Sequence, residues 1–319
     1  MLKRRTLAAA LLATPTLARA QNWAPTQPVR VIIPFPPGGT MDPVVRIVQE
    51  IMTRELGQPI VVDHKPGGAT VVGTTEAFRA PADGHTTIMV ANSFAANVTL
   101  RPTTPYSGLR DFAPVVMATV VPHVLAVHPS VARDFNGFLE AGRRPGAGLS
   151  FGSYGIGTSN HLGGEQLRET ARLNATHVPY LNPAQAHNDL IGGRLQFMLA
   201  NLPDMIQPAQ IGQVRPVAIS APARVRELPD TPTMAELGFP VVLSDSWFGL
   251  VARSNVPAPA RARLEAAWVA ALNRPEVRGR LEEMGFTVLA YGSDRFGQEI
   301  ARYTETYAEV IRANNIRVE

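Results

Sequence analysis

The sequence predicts an α/β protein of two lobes with a cleft between them. Three observations carry this. Short β-branched runs alternate with segments whose apolar residues recur every three or four positions, the pattern of parallel strands joined by crossover helices. The alternation occurs in both halves of the 319 residues, without a low-complexity linker or an internal repeat. Glycine-rich loops stand at strand-to-helix junctions in each half, where open α/β sheets gather their ligands.

The elements follow in order. VRVIIPF (29–35) reads as a buried strand. Val44, Val45, Ile47, Val48, Ile51, Met52 and Leu56 mark a helix over 42–56, stopped by Gly57. PIVVD is a second strand, KPGGATVVG a turn, TTEAFRA a short helix and TTIMVAN a third strand. In the middle region HVLAVH and LSFGS are strands and HLGGEQLRETA a helix. THVPY is a strand, AQAHNDLIGG a helix closed by Gly192, and LQFMLA and RPVAIS are strands. SWFGLVA is strand-like. Two helices follow, PAPARARLEAAWVAAL and PEVRGRLEEMG, then FTVLA and a last helix over 293–313.

Composition bounds the function. Residues 1–20 combine Lys3, Arg4 and Arg5 with the apolar run LAAALLATPTL and a small-residue site, Ala18-Arg19-Ala20. This is the layout of an export signal, too short to span a bilayer. Arg4-Arg5 lack the full flanking pattern of twin-arginine export, so ordinary secretion is expected. The chain carries 30 Lys+Arg and 26 Asp+Glu, and the signal holds four of the basic residues and no acid. The mature chain is therefore formally neutral, which gives no case for nucleic acid or an anionic membrane surface. No later stretch is apolar enough for a membrane span, and direct insertion of the mature chain is not expected. With no cysteine there is no disulfide, thiol nucleophile or thiolate ligand.

The first glycine-rich loop is PFPPGGTMD (34–42). Pro34, Pro36 and Pro37 fix φ and remove N–H groups, which stiffens the turn. Gly38 and Gly39 let a ligand approach the backbone, and Thr40 or Asp42 is placed to cap the next helix. A stiff approach to bare helix N–H groups makes an anion seat, although a plain strand-to-helix turn uses the same residues. The second loop, SYGIGTSNH (153–161), repeats the arrangement: Gly155 and Gly157 expose backbone, and Ser153, Thr158, Ser159 and Asn160 offer hydroxyl and amide groups. Two such loops facing each other could hold both ends of a small anion. His161 suits a structural role at a helix start.

Enzyme signatures fail in context. GLSFG (148–152) matches G-x-S-x-G, but Ser150 falls inside a strand rather than on a nucleophile elbow. There is no P-loop or HExxH, no third glycine for a dinucleotide fingerprint, and the seven histidines lack ligand spacing. No cofactor, metal or catalytic residue is expected. A hydrolase working through Ser150 or Ser153 would need a histidine within reach.

The ordered motifs VRVIIPFPPGGTMDPVVR, VVDHKPGGATVVGT, APADGHTTIMV, RDFAPV, HPSV, GSYGIGTSNHLGGEQL, HVPY, DLIGGRLQFML, LPDTPTMAELGFP and SWFGLVA carry a resemblance. From about residue 28 onward the chain resembles the Bug family, the substrate-binding proteins of tripartite tricarboxylate transporters. The resemblance implies a periplasmic-binding-protein (flytrap) fold with a discontinuous first lobe, 23–122 and 246–319, and a second lobe, 123–245. Crossovers would fall near 120–123 and 244–247. It implies a periplasmic receptor that takes a small organic carboxylate and delivers it to membrane permease subunits; a sensory receptor could use the same fold. Phe35, Gly38, Gly39, Thr40 and Asp42 would serve one side of the ligand, partly through water. Ser153, Gly155, Gly157, Thr158 and Ser159 would bind a carboxylate from the other, with Asn92, Ser93, Asn201 and Asp204 as side-chain selectors. HKPGGAT, Gly84-His85 and PYLNPAQA depart from the family pattern, and the last of these points to an atypical ligand.

Overall fold

The computed structural model describes residues 23–240, 242 and 244–318, so the export-signal expectation for residues 1–20 lies outside the described residues. The first half opens β1 (Val29–Ile33), α1 (Met41–Leu56), β2 (Ile60–His64), α2 (Val71–Arg79), β3 (Thr86–Val90), α3 (Asn92–Leu100) and α4 (Gly108–Asp111). The long strand β4 (Phe112–Val127) leads to α5 (Phe135–Arg143), β5 (Leu149–Ser153), α6 (Ser159–Thr170), β6 (Ala175–Pro179) and α7 (Pro183–Ile191). β7 (Phe197–Asn201), α8 (Leu202–Gln210) and β8 (Arg215–Ser220) complete the middle. The chain ends with β9 (Asp245–Arg253), α9 (Ala258–Leu272), α10 (Pro275–Glu283), β10 (Thr287–Gly292) and α11 (Ser293–Ala313).

The expected parallel units are present: β2-β1-β3 in the first half and β7-β5-β6 in the second pair in parallel. An antiparallel spine joins them. β9 pairs with both β3 and β4, and β10 also pairs with β4. β4 changes partners along its length: up to Pro122 it faces β9, and from His123 it faces β7 and β8.

Local chemistry explains the elements. In α1 the buried residues Val44, Val45, Val48, Ile51, Met52 and Leu56 form one stripe, and Gly57 ends the helix at φ 71 with its N–H donating to Thr53 O at 3.0 Å. That stripe joins Leu264 and Trp268 of α9 and Leu281 of α10 in one core on the sheet. A second core, on the other side of the same strands, gathers Phe94 of α3 with Phe296, Ile300 and Ile311 of α11. In the other half Phe138, Phe151 and Phe197 form one core, and Leu190, Leu202 and Met205 another.

Three sequence expectations shift. The second helix starts at Val71, inside the expected turn, and the third strand stops at Val90 because Asn92 opens α3. Neither Thr40 nor Asp42 caps α1 through its side chain. Thr40 instead reaches across to β7 and α8, and Asp42 turns back on its own loop.

Candidate functional site

Every parallel strand here is followed by a helix, and those helices begin at the same end of the sheet. A small cavity of about 40 Å³ lies there. Thr40 starts α1; Ala91, Asn92 and Ser93 start α3; Thr158, Ser159 and Asn160 start α6; Pro183 starts α7; and Asn201 starts α8. Each is on the cavity wall. Phe35, Gly39, Tyr154, Ser246 and Phe248 complete the lining.

Of the residues expected from the sequence, Phe35, Gly39, Thr40, Asn92, Ser93, Thr158, Ser159 and Asn201 meet at this wall. Six expected residues do not line it, and their partners explain where they are held. The Gly38 N–H points to Asp42 Oδ2 at 3.4 Å, and Asp42 Oδ1 lies 3.3 Å from His64 Nε2. Ser153 Oγ sits 2.7 Å from His177 Nε2 and accepts the Gly155 N–H at 3.2 Å. The Gly157 N–H donates to His161 Nδ1 at 3.2 Å, so His161 has the structural partner its position suggests. Asp204 stands behind the wall, where its Oδ2 accepts hydrogen bonds from the Thr40 hydroxyl at 2.9 Å and the Tyr154 phenol at 3.0 Å. A histidine is therefore in reach of Ser153, but both residues are packed beneath the loop: Ser153 is fully buried. Ser150 lies within β5, as expected.

The sequence reading left out Ala91, Tyr154, Pro183, Ser246 and Phe248, and it named Asn160 only as a polar member of its loop. Tyr154 and Asn160 carried a signal, since both lie inside the second glycine-rich loop. Ser246 and Phe248 are two residues apart on β9 and share a face by strand alternation, a cue usable only once β9 is known to border the cleft.

The electrostatics are set by backbone. Among the described residues no charged side chain lines the cavity. Of the helices that start at the cavity, α1, α3, α6 and α8 have no side-chain cap at their N-termini, and α7 has one, Asn182 accepting from the Ala184 N–H. Each helix start carries unpaired N–H groups and roughly half a positive charge. Several of them around a neutral, partly aromatic cavity create a positive potential with no cation to bury.

Buried side chains hold these ends in place. His123 is fully buried, and its Nε2 lies 2.9 Å from Ser246 Oγ and 3.3 Å from Asn160 Nδ2, both on the wall. Ser244 Oγ lies 2.7 Å from His123 Nδ1 and 3.1 Å from Ser159 O, so one hydroxyl ties the imidazole to the start of α6. Burial holds this imidazole down at about 3. Asn92 donates to Tyr307 Oη at 2.6 Å and accepts the Trp247 N–H at 3.0 Å. Burial, followed by the Asp204 charge, pushes the Tyr154 phenol well above its ordinary value, so Tyr154 remains a donor to Asp204.

No group of three or more His, Asp or Glu side chains among the described residues could hold a metal, and none of the described helices is long and apolar enough to cross a membrane.

Comparison with known proteins places this architecture. Residues 44–316 match the family described as tripartite tricarboxylate transporter family receptor. Protein BugT of Bordetella pertussis is 31% identical over 319 residues, covering 98% of this chain and 96% of its own. A solved structure described as a periplasmic transporter is 36% identical with a TM-score of 0.86, covering 92% of this chain and 99% of its own. Rpa4515 of R. palustris, solved with adipate, is 27% identical with a TM-score of 0.86 over 92% of this chain and 99% of its own. The fold is that of the two-lobed periplasmic binding proteins with a discontinuous first lobe. The chain belongs to the tripartite tricarboxylate transporter family receptors, as a solute-binding protein and not an enzyme.

Proposed function

We propose that this protein captures a small organic carboxylate in the cavity between its lobes and presents it to membrane permease subunits. The observation that carries the reading is the convergence of uncapped helix N-termini on a cavity without charged side chains. A carboxylate replaces its water shell there with backbone N–H groups, at roughly 1.5–3 kcal/mol for each charge-assisted bond. Adipate in the R. palustris relative is a small carboxylate of this kind.

The lobes comprise 23–122 with 246–319, and 123–245. The change of β4 partners between Pro122 and His123 supports that division. Thr40 and Asn201 come from different lobes, and their hydrogen bond is one of the latches of closure. The binding set consists of Phe35, Gly39, Thr40, Asn92, Ser93, Thr158, Ser159 and Asn201 at the wall. Gly38, Asp42, Ser153, Gly155, Gly157 and Asp204 act by holding the loops. The ligand shifts the open–closed equilibrium toward the closed form, which the permease reads. Residues 1–20 direct export to the periplasm and are then removed.

Native mass spectrometry of the mature chain, followed by a thermal-shift screen of carboxylates, tests the proposal. A ligand at a hundred times its dissociation constant stabilises by about 2.7 kcal/mol. A co-purifying or stabilising acid is expected; an ordered protein that takes no carboxylate across a wide panel would refute the reading.

A further inference from the structure

The cavity wall and the hinge share side chains, and His123 stands where they meet. Under the proposed division the chain passes between the lobes twice, after Pro122 and at 244–246. The two passages are tied through the backbone, where the His123 N–H donates to Ser244 O at 3.3 Å. They are tied again through the ring, with Nδ1 2.7 Å from Ser244 Oγ and Nε2 2.9 Å from Ser246 Oγ. The imidazole itself is fully buried and stays off the cavity wall.

The same serines hold the start of α6. Ser244 Oγ lies 3.1 Å from Ser159 O, Ser246 Oγ 3.0 Å from Ser159 Oγ, and Asn160 Nδ2 3.3 Å from His123 Nε2. One turn along α6, Gly163 packs its bare Cα against Ser244, where a Cβ would collide with the hydroxyl. A shift of α6 along this passage therefore breaks the cluster. Asp245, between the two serines, points the other way by strand alternation. Its carboxylate accepts from Asn92 Nδ2 at 3.4 Å and from the Tyr303 hydroxyl at 3.0 Å, so the passage also holds the start of α3. Asn92, Ser159, Asn160 and Ser246 all line the cavity. A rotation of the lobes bends the chain at these residues, so the wall keeps this arrangement at one lobe angle only.

We infer that His123 is a positioning residue that couples the carboxylate seat to the lobe angle. It holds Ser246 and the start of α6 together behind the ligand, and occupancy of the seat reaches the hinge through it. This rests on the proposed function, since it assumes that the acid binds at the start of α6.

The test compares the wild type with His123→Phe, which fills the site without hydrogen bonds, and with Ser244→Ala, a smaller truncation that also lies off the wall. Calorimetry of the mature proteins uses the unbranched mono- and dicarboxylates of two to six carbons. Affinity for the best of these acids should fall about tenfold in Ser244→Ala, the loss of one hydrogen bond, and further in His123→Phe. A folded Ser244→Ala protein with wild-type affinity overturns the inference whatever its urea midpoint, because a merely structural residue lowers stability alone. The second readout is the nuclear magnetic resonance spectrum of wild-type protein carrying isotope-labelled histidine. Saturation with the same acid should shift the His123 ring signals, although the ring does not touch the cavity; unmoved signals overturn the coupling. If none of these acids binds the wild type, the proposed function and this inference fall together. If acids bind and the variants match the wild type, only the inference falls.

Discussion

Thr40→Val isolates the contribution of the latch between the lobes. Valine keeps the shape of threonine at a site that is 9% exposed, and it removes two hydrogen bonds. One is to the Asp204 carboxylate at 2.9 Å and the other is from Asn201 Nδ2 at 2.7 Å. A bond to a charged acceptor contributes about 1.5–3 kcal/mol and a neutral one about 0.5–1.5, so together about 2–4 kcal/mol is at stake. Both bonds join the loop before α1 to β7 and α8, and they form only when those regions meet. The loss therefore falls on the closed form. Ligand affinity, measured by calorimetry with the best acid from the screen, should fall about thirty- to several-hundredfold. The melting temperature of the ligand-free protein should move little. Unchanged affinity, or a ligand-free protein destabilised by the full amount, would refute the latch.

Gly157 adopts φ +93, and a Cβ there would lie 2.5 Å from Leu100 Cδ1, so Gly157→Val should strain the second loop by about 1–3 kcal/mol. Thermal scanning should show a folded protein with a lower melting temperature, and calorimetry weaker ligand binding; wild-type affinity would remove this loop from the site. Phe197→Ala deletes a fully buried ring packed 5.0 Å from Phe138 and 5.4 Å from Phe151, at a cost of about 3–5 kcal/mol in urea denaturation. At low temperature its binding stoichiometry should be unchanged. Burial lowers His123 to about 3, His161 to about 4 and His177 to about 3. Their folded values lie below the unfolded value near 6.5, so the unfolded chain binds more protons as pH falls. The stability is complete above about pH 6.5 and is lost toward pH 4, by at most about 1.4 kcal/mol per pH unit for each histidine. A urea midpoint that stays flat between pH 6.5 and 4 would contradict this.

The sequence made the α/β units legible because their signals are local. The apolar stripe of α1, its Gly57 stop and the amphipathic α11 are written at helical spacing. α3 was not legible: Asn92 to Asn97 are all buried, so NSFAANVTL has no polar face to set a period. β4 was seen only at its end, because Pro114 and Pro122 argue against a central strand. Pro122 is tolerated where the strand changes partners. The prolines of LPDMIQPAQ likewise hid α8, where Pro203 sits in the first turn and Pro208 near the end. Both cavity loops stood out by their glycines, yet several of those glycines shape the loop while neighbours such as Tyr154 and Asn160 face the cavity. Glycine marks where a backbone must bend; which side chains then meet depends on pairings far apart in sequence, such as His123 with Ser246.

The central claim is that helix N-termini, and no cation, bind the carboxylate. Calorimetry of the best-binding acid beside its primary amide, which has the same shape without the charge, tests it most directly. The acid should bind and the amide should be weaker by at least about a hundredfold, the loss of two charge-assisted bonds. Equal binding of the amide would contradict the account.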